Sequence, residues 1–274
     1  MPELPEVETV RRGLEKALLG KRIDGIKTGT KRLRRPFPAS LQKAVSARVE
    51  GLQRRAKYLL LRLDINQTIV IHLGMSGRLV IHPANEKYTP AKHDHFVLTL
   101  QDGAKIVFND ARRFGLIEML ADDTLDQHKL FSHLGPEPLE KEFSTAYLAD
   151  YLKAKKISIK LAIMDQKCVV GVGNIYASEA LYRAGISPKR AAKSLKKPEI
   201  EKLVPAIKRV LEDAIKAGGS SLRDYVQADG ELGYFQHNFN VYDRAGEKCR
   251  KCGDAIKKIT QGGRSTFYCP THQK

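Results

Sequence analysis

The chain has 274 residues and a formal net charge of +17, from 48 Lys and Arg against 31 Asp and Glu. This length allows two domains, or one large domain with an appendage. A basic excess of this size favours a polyanionic partner, with nucleic acid ahead of a membrane surface; a generally basic protein is the alternative. The start is acidic and broken by proline, and no long apolar run follows. We therefore expect no membrane span, no secretory signal and a cytoplasmic location.

The first predicted element is an amphipathic helix that Gly20 ends. Its apolar residues recur every three or four positions, at Val7, Val10, Leu14 and Leu18. Five short runs rich in branched residues follow, separated by turn residues. They predict the strands of an antiparallel sandwich or barrel within residues 1–130, at 58–63, 68–72, 78–81, 96–100 and 105–109.

Two prolines and a glycine at 135–138 mark a boundary, because they continue neither a helix nor a strand. Helical spacing then predicts helices at 157–164, 175–184 and 199–217. We expect Asn174 to cap the second of these, Gly218 and Gly219 to end the third, and Pro205 to kink it. We expect residues 230–240 to form a flexible or irregular connection to a last, C-terminal module. The chain is thus expected to divide at 1–130, 131–239 and 240–274.

The last module carries a metal-ligand pattern. Cys249 and Cys252 are separated by two residues, sixteen residues follow, and Cys269 and His272 repeat the spacing. Such pairs present their ligands to one tetrahedral zinc ion on a β-hairpin, with loose thiols as the alternative. Because the module has little core, bound metal would supply most of its folding energy.

Two segments suit contact with phosphate. Arg264 follows two glycines at the predicted hairpin tip, where its guanidinium can press against a phosphate; an exposed turn arginine is the alternative. The run 171–174 contains two glycines and leads into a predicted helix, so its amides and the helix N-terminus can face an anion. A glycine pair before a helix is weak evidence by itself and counts only together with other phosphate-binding signals.

Residues on predicted loop tips of the sheet region suit insertion into a base stack. A flexible Met75, together with Arg112 and Phe114, matches the side chains by which proteins kink duplexes or fill the space of a flipped base. Taken singly, each would be assigned to core or surface. Histidines alone in strands, here His72 and His93, are more often structural than catalytic.

The first residues offer a nucleophile. Removal of Met1 would leave Pro2 with a secondary amine, and α-amino groups titrate near pH 8. Attack of this amine on an aldehyde-like carbon gives a cationic Schiff base, with Glu3 beside it as acid or base. The alternative is a frayed, proline-stiffened tail.

Motifs in one consistent order identify a resemblance. They are Pro-Glu-Leu-Pro-Glu-Val-Glu-Thr at 2–9, Arg-Arg-Ala-Lys-Tyr at 54–58, His-Leu-Gly-Met-Ser-Gly at 72–77, Lys-His-Asp-His at 92–95, Arg-Arg-Phe-Gly at 112–115, Leu-Gly-Pro-Glu-Pro at 134–138 and Gly-Val-Gly-Asn-Ile-Tyr at 171–176. Throughout its length the chain resembles the bacterial formamidopyrimidine-DNA glycosylases. The resemblance implies an α+β fold: an N-terminal antiparallel β-sandwich with flanking helices, a helix-two-turn-helix domain and a C-terminal β-hairpin zinc finger.

The resemblance also implies the chemistry of a bifunctional DNA glycosylase and abasic-site lyase of base excision repair. Its partner is duplex DNA that contains oxidised purines, 8-oxoguanine or formamidopyrimidines, or abasic sites. Pro2 would attack the sugar carbon as the base leaves, and Glu3 would move the protons of that step. Lys57 would donate the proton for β-elimination and Arg264 for δ-elimination, which leaves a one-nucleotide gap.

The DNA contacts implied by the resemblance are spread over the chain. They fall on His93, Arg112 and Lys155, with further phosphate contacts at His72, Asn174 and Tyr242. Met75, Arg112 and Phe114, called the wedge residues below, would fill the hole left by the flipped base. Residues 220–227 would cover the damaged base, and one structural zinc ion would bind Cys249, Cys252, Cys269 and His272. We expect a monomer.

Two residues depart from the family pattern. The family usually closes its finger with a fourth cysteine, where His272 stands here, which puts the zinc affinity in doubt. A proline usually precedes the Arg-Arg-Phe-Gly run, where Ala111 stands here, and this could loosen the wedge turn. The alternatives are an endonuclease VIII-like glycosylase for oxidised pyrimidines and a non-catalytic damaged-DNA-binding protein. The latter would show loss of Pro2, Glu3 or Lys57, and all three are present.

Overall fold

The structure is a computed structural model that describes residues 2–220 and 235–274. The chain separates into two compact units. The first unit is Met1–Ser132 with Ala217–Tyr234, and the second is His133–Lys216 with Phe235–Lys274. These compact units do not test the domain boundaries expected at 1–130, 131–239 and 240–274, which stay a prediction.

The first unit is an antiparallel β-sandwich with a helix packed on it. Among the described residues its strands form two four-stranded sheets, with strand orders β1-β6-β7-β5 and β2-β3-β4-β8. Both sheets and the helix bury their apolar residues in one core. The elements are α1 (Leu4–Leu18), β1 (Ile23–Thr28), β2 (Val49–Arg55), β3 (Tyr58–Leu63), β4 (Gln67–His72), β5 (Arg78–His82), β6 (Asp94–Leu100), β7 (Lys105–Asn109) and β8 (Leu116–Ala121), with short 3-10 helices at Ala39–Ala44 and Asp122–Thr124.

The five strands predicted from the sequence are present, and β1, β2 and β8 were missed. The register shifts between Ile23 and Gly25 in β1, and between Val49 and Gly51 in β2. Buried residues in these two strands are therefore three positions apart instead of two, which hides the alternation that identifies a strand.

Helix α1 begins earlier than its apolar pattern predicts. Val7, Val10, Leu14 and Leu18 form the buried stripe, as expected. Upstream of this stripe, Glu3 and Glu6 form a capping box that starts the helix at Leu4. Pro5 lies in the first turn, where proline is tolerated because the turn's N–H groups lack intrahelical partners. The capping box therefore fixes the Glu3 backbone at the start of the helix.

The second unit is helical and ends in a β-hairpin. Its elements are α2 (Thr145–Leu152), α3 (Ile159–Met164), α4 (Asn174–Ala184), α5 (Lys197–Lys216), β9 (Lys257–Gln261) and β10 (Arg264–Tyr268), with 3-10 helices at Ala192–Ser194 and Phe235–Asn238. The three predicted helices are present, and α2 was missed because its eight residues bury only Leu148 and Leu152. Helix α5 continues through Pro205, and the kink expected there stays a prediction. Gly218 and Gly219 follow α5 with φ of 74° and 78°, as a glycine stop requires.

The described part of the predicted flexible connection is packed. Phe235 and Phe239 are 1% and 4% exposed, and their ring centroids lie 5.8 Å apart. A buried carboxylate, that of Glu179, accepts the N–H groups of Asn240 and Val241 at about 3 Å. Aromatic burial and these hydrogen bonds hold 235–240, and a 3-10 helix at Phe235–Asn238 replaces the irregular backbone expected there. The flexibility of the connection stays a prediction, and residues 230–234 lie outside the described residues. Within the described ranges, no helix is long and apolar enough to span a bilayer.

Candidate active site and nucleic-acid interface

The start of the first unit is buried. Pro2 is buried, and Glu3 is 2% exposed. Glu6, also 2% exposed, accepts the Glu3 N–H through Oε2 at 2.8 Å. Its Oε1 accepts the Ser220 N–H at 2.9 Å and the Ser220 hydroxyl at 3.0 Å. One carboxylate thus joins the first turn of α1 to the residue at which the expected lesion-covering segment begins; residues 221–227 of that segment lie outside the described part of the chain.

Lys57 lies on the strand pair against which α1 packs. Arg11 of α1 donates to the Leu52 carbonyl at 3.2 Å, and Glu8 pairs with Arg54 at 3.3 Å. Burial alone would raise the pKa of Glu8, but hydrogen bonds from Arg11 and Arg12 and the charge of Arg54 hold this pKa below its ordinary value. The β2–β3 turn that follows Arg54 carries Lys57, which is 8% exposed. Pro2, Glu3 and Lys57 are therefore all buried in one unit, on elements that pack together.

His72 ends β4 as a neutral imidazole. Its Nδ1 accepts the Gly74 N–H at 3.0 Å, so the proton of the neutral ring is on Nε2. Burial, followed by the positive charges of Lys57 and Arg34, lowers the pKa of His72 to about 4. The ring can therefore donate a hydrogen bond from Nε2 to a phosphate oxygen without carrying a charge.

The wedge residues lie on two turns of the first unit, 73–77 and 110–115. Met75 and Phe114, 36% and 47% exposed, are two of the five large apolar side chains that are exposed among the described residues. The Arg112 guanidinium lies 5.0 Å from the centroid of the Phe114 ring. The structure thus brings Arg112 and Phe114 into contact, and it exposes the apolar wedge side chains as insertion into a base stack requires.

A residue that the sequence analysis missed connects these turns. Asp110 is fully buried, and its carboxylate accepts hydrogen bonds from the Ser76 hydroxyl, the Arg112 N–H and the Gly115 N–H. Its own N–H donates to the carbonyl of His93 at 3.0 Å. The predicted DNA contact His93 is therefore tied through its backbone to the wedge turns.

In the second unit, Asn174 contacts the hairpin. The N-cap of α4 is Gly173, so the expectation that Asn174 caps the helix was wrong. Its amide group donates to the Ser265 carbonyl at 2.9 Å and accepts from the ammonium of Lys160. Lys160, fully buried and missed by the sequence analysis, also donates to the Thr266 hydroxyl at 2.7 Å. These bonds hold the first turn of α4 beside the hairpin residues that follow Arg264.

Arg264 itself is exposed at the start of β10. The hairpin turn before it contains Gly262 and Gly263, with φ of 55° and 71°. Left-handed backbone at two successive positions favours glycine, since other residues pay a steric cost there. The sequence thus fixes a tight turn that presents the arginine to solvent.

Tyr242 and Lys155, the remaining predicted DNA contacts, lie in different surroundings of the second unit. The Tyr242 N–H donates to Glu179, and its ring packs 5.1 Å from that of Phe267. Lys155 lies with its ammonium 4.5 Å from the Tyr151 ring centroid. The lysine that bonds both Asn174 and the hairpin is Lys160.

The zinc site is formed by Cys249, Cys252 and Cys269, whose sulfur atoms all lie within 4.8 Å of one another. Zinc–sulfur bonds of about 2.3 Å require such a spacing. Backbone N–H groups of Lys251 and His272 each point at a sulfur, at 3.4 Å, which suits thiolates. The donor set fits zinc, and the finger binds one structural zinc ion.

His272 lies beside this cluster, and its ring is not part of it. Its Nε2 is 3.0 Å from the carbonyl oxygen of Tyr182, and the two rings pack with centroids 4.8 Å apart. The Tyr182 hydroxyl in turn contacts the Cys249 sulfur at 3.2 Å. A different rotamer is needed to bring the imidazole to the three sulfurs, so the fourth ligand stays a prediction.

A β-sandwich, a helical module and a zinc hairpin define the class of protein: a DNA-binding enzyme with a C-terminal finger. Family models agree in chain order. Residues 1–117 match the formamidopyrimidine-DNA glycosylase N-terminal domain, 134–226 its H2TH domain and 246–271 the zinc finger found in FPG and IleRS. The chain belongs to the formamidopyrimidine-DNA glycosylase family. It is a DNA repair glycosylase with abasic-site lyase activity.

Individual relatives match over the whole chain. The formamidopyrimidine-DNA glycosylase of Dinoroseobacter shibae is 51% identical over 284 residues, covering 100% of both chains. A Lactococcus lactis FPG mutant in complex with Fapy-dG DNA superposes with a TM-score of 0.91 at 33% identity, covering 100% of both chains. A MutM in complex with carbocyclic 8-oxo-G DNA gives a TM-score of 0.91 at 34% identity, again over 100% of both.

Proposed function

We propose that this glycosylase excises oxidised purines, 8-oxoguanine and formamidopyrimidines, from duplex DNA and then cuts the strand on both sides of the lesion. The proposal is supported by relatives bound to Fapy-dG and 8-oxo-G DNA. The observation that carries it is the burial of Pro2 and Glu3 at the first turn of α1. A frayed tail would be exposed, whereas a nucleophile must be held in place.

In the proposed reaction, the Pro2 amine forms a bond to the sugar carbon C1′ while the bond from C1′ to the damaged base breaks. Glu3 moves the proton that the base and the ring-opened sugar require. The product is a cationic Schiff base, which draws electrons from the sugar. In the β-elimination C2′ loses a proton and the C3′–O bond to the 3′ phosphate breaks as a C=C bond forms, with Lys57 as the proton donor. In the δ-elimination C4′ loses a proton and the C5′–O bond to the 5′ phosphate breaks, with Arg264 as the proton donor.

The DNA-binding roles are assigned by chemistry. His72, His93, Arg112, Lys155, Asn174 and Tyr242 are proposed to contact the backbone, and Met75, Arg112 and Phe114 to fill the space of the flipped nucleotide. Neutral His72 fits as a hydrogen-bond donor, because Nδ1 accepts the Gly74 N–H and leaves the proton on Nε2, and its lowered pKa of about 4 keeps the ring uncharged at pH 7. Exposed Met75 and Phe114 fit as wedges because the duplex covers apolar surface that is otherwise solvated.

Borohydride trapping tests the nucleophile. The substrate is a duplex with 8-oxoguanine opposite cytosine, and the product is a reduced covalent complex seen on a denaturing gel. Pro2→Gly, or an uncleaved residue in front of Pro2, should abolish the complex. Pro5→Ala, a change at another buried proline of the same turn, should retain it. Undiminished trapping by Pro2→Gly would refute the proposed nucleophile.

The location and the assembly follow from this proposal. A repair enzyme acts where chromosomal DNA is, so we propose a cytoplasmic location for the chain. One active site per chain needs no second copy, and a monomer stays the expectation; sedimentation of the purified protein would test it.

A further inference from the structure

The two turns that carry the wedge residues meet at one buried carboxylate. Asp110 is fully buried and follows β7. Its Oδ1 accepts the Ser76 hydroxyl at 2.6 Å, and its Oδ2 accepts the Gly115 N–H at 2.8 Å. Ser76 follows Met75 in sequence, and Gly115 follows Phe114. A single side chain therefore holds the neighbours of both apolar wedge residues.

The third wedge residue is held at the same place. The Arg112 N–H is shared between Asp110 Oδ1 and the Ser76 hydroxyl oxygen, at 3.2 Å from each. Asp110 is itself fixed to β6, because its N–H donates to the His93 carbonyl and its carbonyl contacts His95 Nε2 at 3.1 Å. Asp110 thus holds both turns in place relative to β6.

The backbones of the two wedge turns pack so closely that not even a Cβ atom fits between them at Gly74. A Cβ at Gly74, where φ is 69°, would lie 2.5 Å from the Gly115 nitrogen. Arg113, between two wedge residues, has a φ of 56°, which is a strained conformation for a side chain of its size. Such strain persists only where the surroundings over-determine the backbone, and the hydrogen bonds of Asp110 on either side of Arg113 do so.

We infer that Asp110 is a positioning residue for base flipping, which locks the two wedge turns into one unit that enters the duplex together. The inference rests on the wedge roles in the proposed function. Unstacking a base pair costs free energy, and a wedge ordered before binding loses less conformational entropy on insertion. Asp110 touches neither the DNA nor the reacting atoms in this role; it acts through Met75, Arg112 and Phe114.

The test compares Asp110→Asn and Ser76→Ala with a matched control, Asp94→Asn. Asp94 begins β6 and its carboxylate also accepts three hydrogen bonds, from Tyr88, Ala91 and Asn109, but none from a wedge turn. A fluorescent base beside 8-oxoguanine reports the opening of the stack in rapid mixing, and thermal unfolding reports stability. We expect Asp110→Asn to slow opening by about 10- to 100-fold, and Ser76→Ala by less.

The Asp94→Asn control separates an effect on stack opening from a general loss of stability. Asp94→Asn should lower stability to a similar degree while it changes stack opening by no more than about twofold. In the Asp110→Asn/Met75→Ala double variant, opening should be no slower than in Met75→Ala alone, since both changes act on one step. Opening at the wild-type rate in Asp110→Asn, or equal slowing in Asp94→Asn, would overturn the inference.

The Met75→Ala variant separates two kinds of failure. If Met75→Ala opens the stack at the wild-type rate, the wedge assignment of the proposed function fails. If Met75→Ala is slow and Asp110→Asn is not, the wedge assignment stands and only the role of Asp110 fails.

Discussion

Two exposed arginines, Arg112 and Arg264, are presented by the two units in different ways. The Arg112 turn is held by the buried carboxylate of Asp110 and rests on a sandwich core formed by two sheets and α1. The Arg264 turn belongs to a hairpin whose core cluster, among the described residues, is Tyr182, Val241, Cys249, Ile256, Phe267 and Cys269. Two of those six are zinc ligands, so the second turn depends on metal where the first depends on apolar burial.

The difference has a physical origin in size. A module of 35 residues cannot bury enough apolar surface to offset its chain entropy, and a metal–thiolate site contributes the missing free energy. The sandwich buries enough apolar surface without a metal ion, and its buried polar side chain Asp110 positions the wedge turns instead. The two units should therefore respond to different perturbations.

Zinc removal should have the largest effect, confined to the second unit. We expect Cys269→Ser to lose its zinc and to lower strand cutting on the order of 100-fold or more, because Cys269 is a fully buried ligand. The matched control is Cys168→Ser, which removes a buried thiol outside the cluster and should keep the metal. Metal analysis and cleavage of damaged duplex measure both. Full zinc content in Cys269→Ser would contradict the assigned site, and His272→Ala should reduce zinc retention if His272 completes it.

Loss of the hairpin arginine should affect one chemical step. Arg264→Ala should slow δ-elimination by about 100-fold, as expected for a lost general acid, while base excision falls by about tenfold or less. Lys258→Ala, on β9 of the same hairpin, should leave the product ratio unchanged. Separate quantification of the β- and δ-elimination products on a gel checks this. Equal loss of both steps would indicate a DNA-binding role for Arg264.

Removal of an apolar wedge should affect excision and leave the fold intact. Phe114 is 47% exposed, so Phe114→Ala should change the free energy of unfolding by only about 0.5 kcal/mol. Excision of 8-oxoguanine should fall by about tenfold, because an unfilled stack recloses on the base. Ile65→Ala, which truncates another exposed apolar residue of the same unit, is the control. Equal excision rates in the two variants would remove Phe114 from the wedge.

The last expected effect concerns stability alone and is a pH dependence of the first unit. Because the folded pKa of His72 is lowered from 6.5 to about 4, the unfolded chain binds a proton in this range that the folded chain does not. Stability from this group is full above pH 6.5 and is lost as the pH falls toward 4. Between pH 7 and pH 5, His72→Asn should therefore lose about 1–2 kcal/mol less than the wild type in urea unfolding. Parallel pH curves would contradict the pKa shift.

Elements with a regular apolar pattern, and the metal site with its ligand spacing, could be predicted from the sequence. Helix α1 and strands β3 and β7 follow from apolar repeats, and the cysteine cluster follows from its two-residue spacing. Buried charged residues were not predictable in this way. Asp110, Lys160 and Glu179 are each fully buried, and such charges are tolerated only because hydrogen-bonding partners surround them. Lys160 donates to Thr266 and Glu179 accepts from Val241, partners more than sixty residues away in sequence that no local pattern reveals.

The roles of individual lysines were also beyond a local pattern. Lys155 as a DNA contact stays a prediction, and the lysine whose ammonium reaches Asn174 and the hairpin is Lys160, which the sequence analysis did not single out. Five positions separate these lysines, and periodicity cannot tell which of them faces the interior. The loosening expected from Ala111 also stays a prediction, although Asp110 supplies hydrogen bonds on both sides of it.

The contact between Glu6 and Ser220 spans 214 positions of sequence. During synthesis the chain leaves the ribosome N-terminus first, so the hydrogen bonds from Ser220 to Glu6 can form only after most of the protein has emerged. Until then the Glu6 carboxylate holds the Glu3 N–H without them. The hydrogen bonding of the first turn of α1, which begins at the fourth residue made, is therefore completed by a residue from the last quarter of the chain.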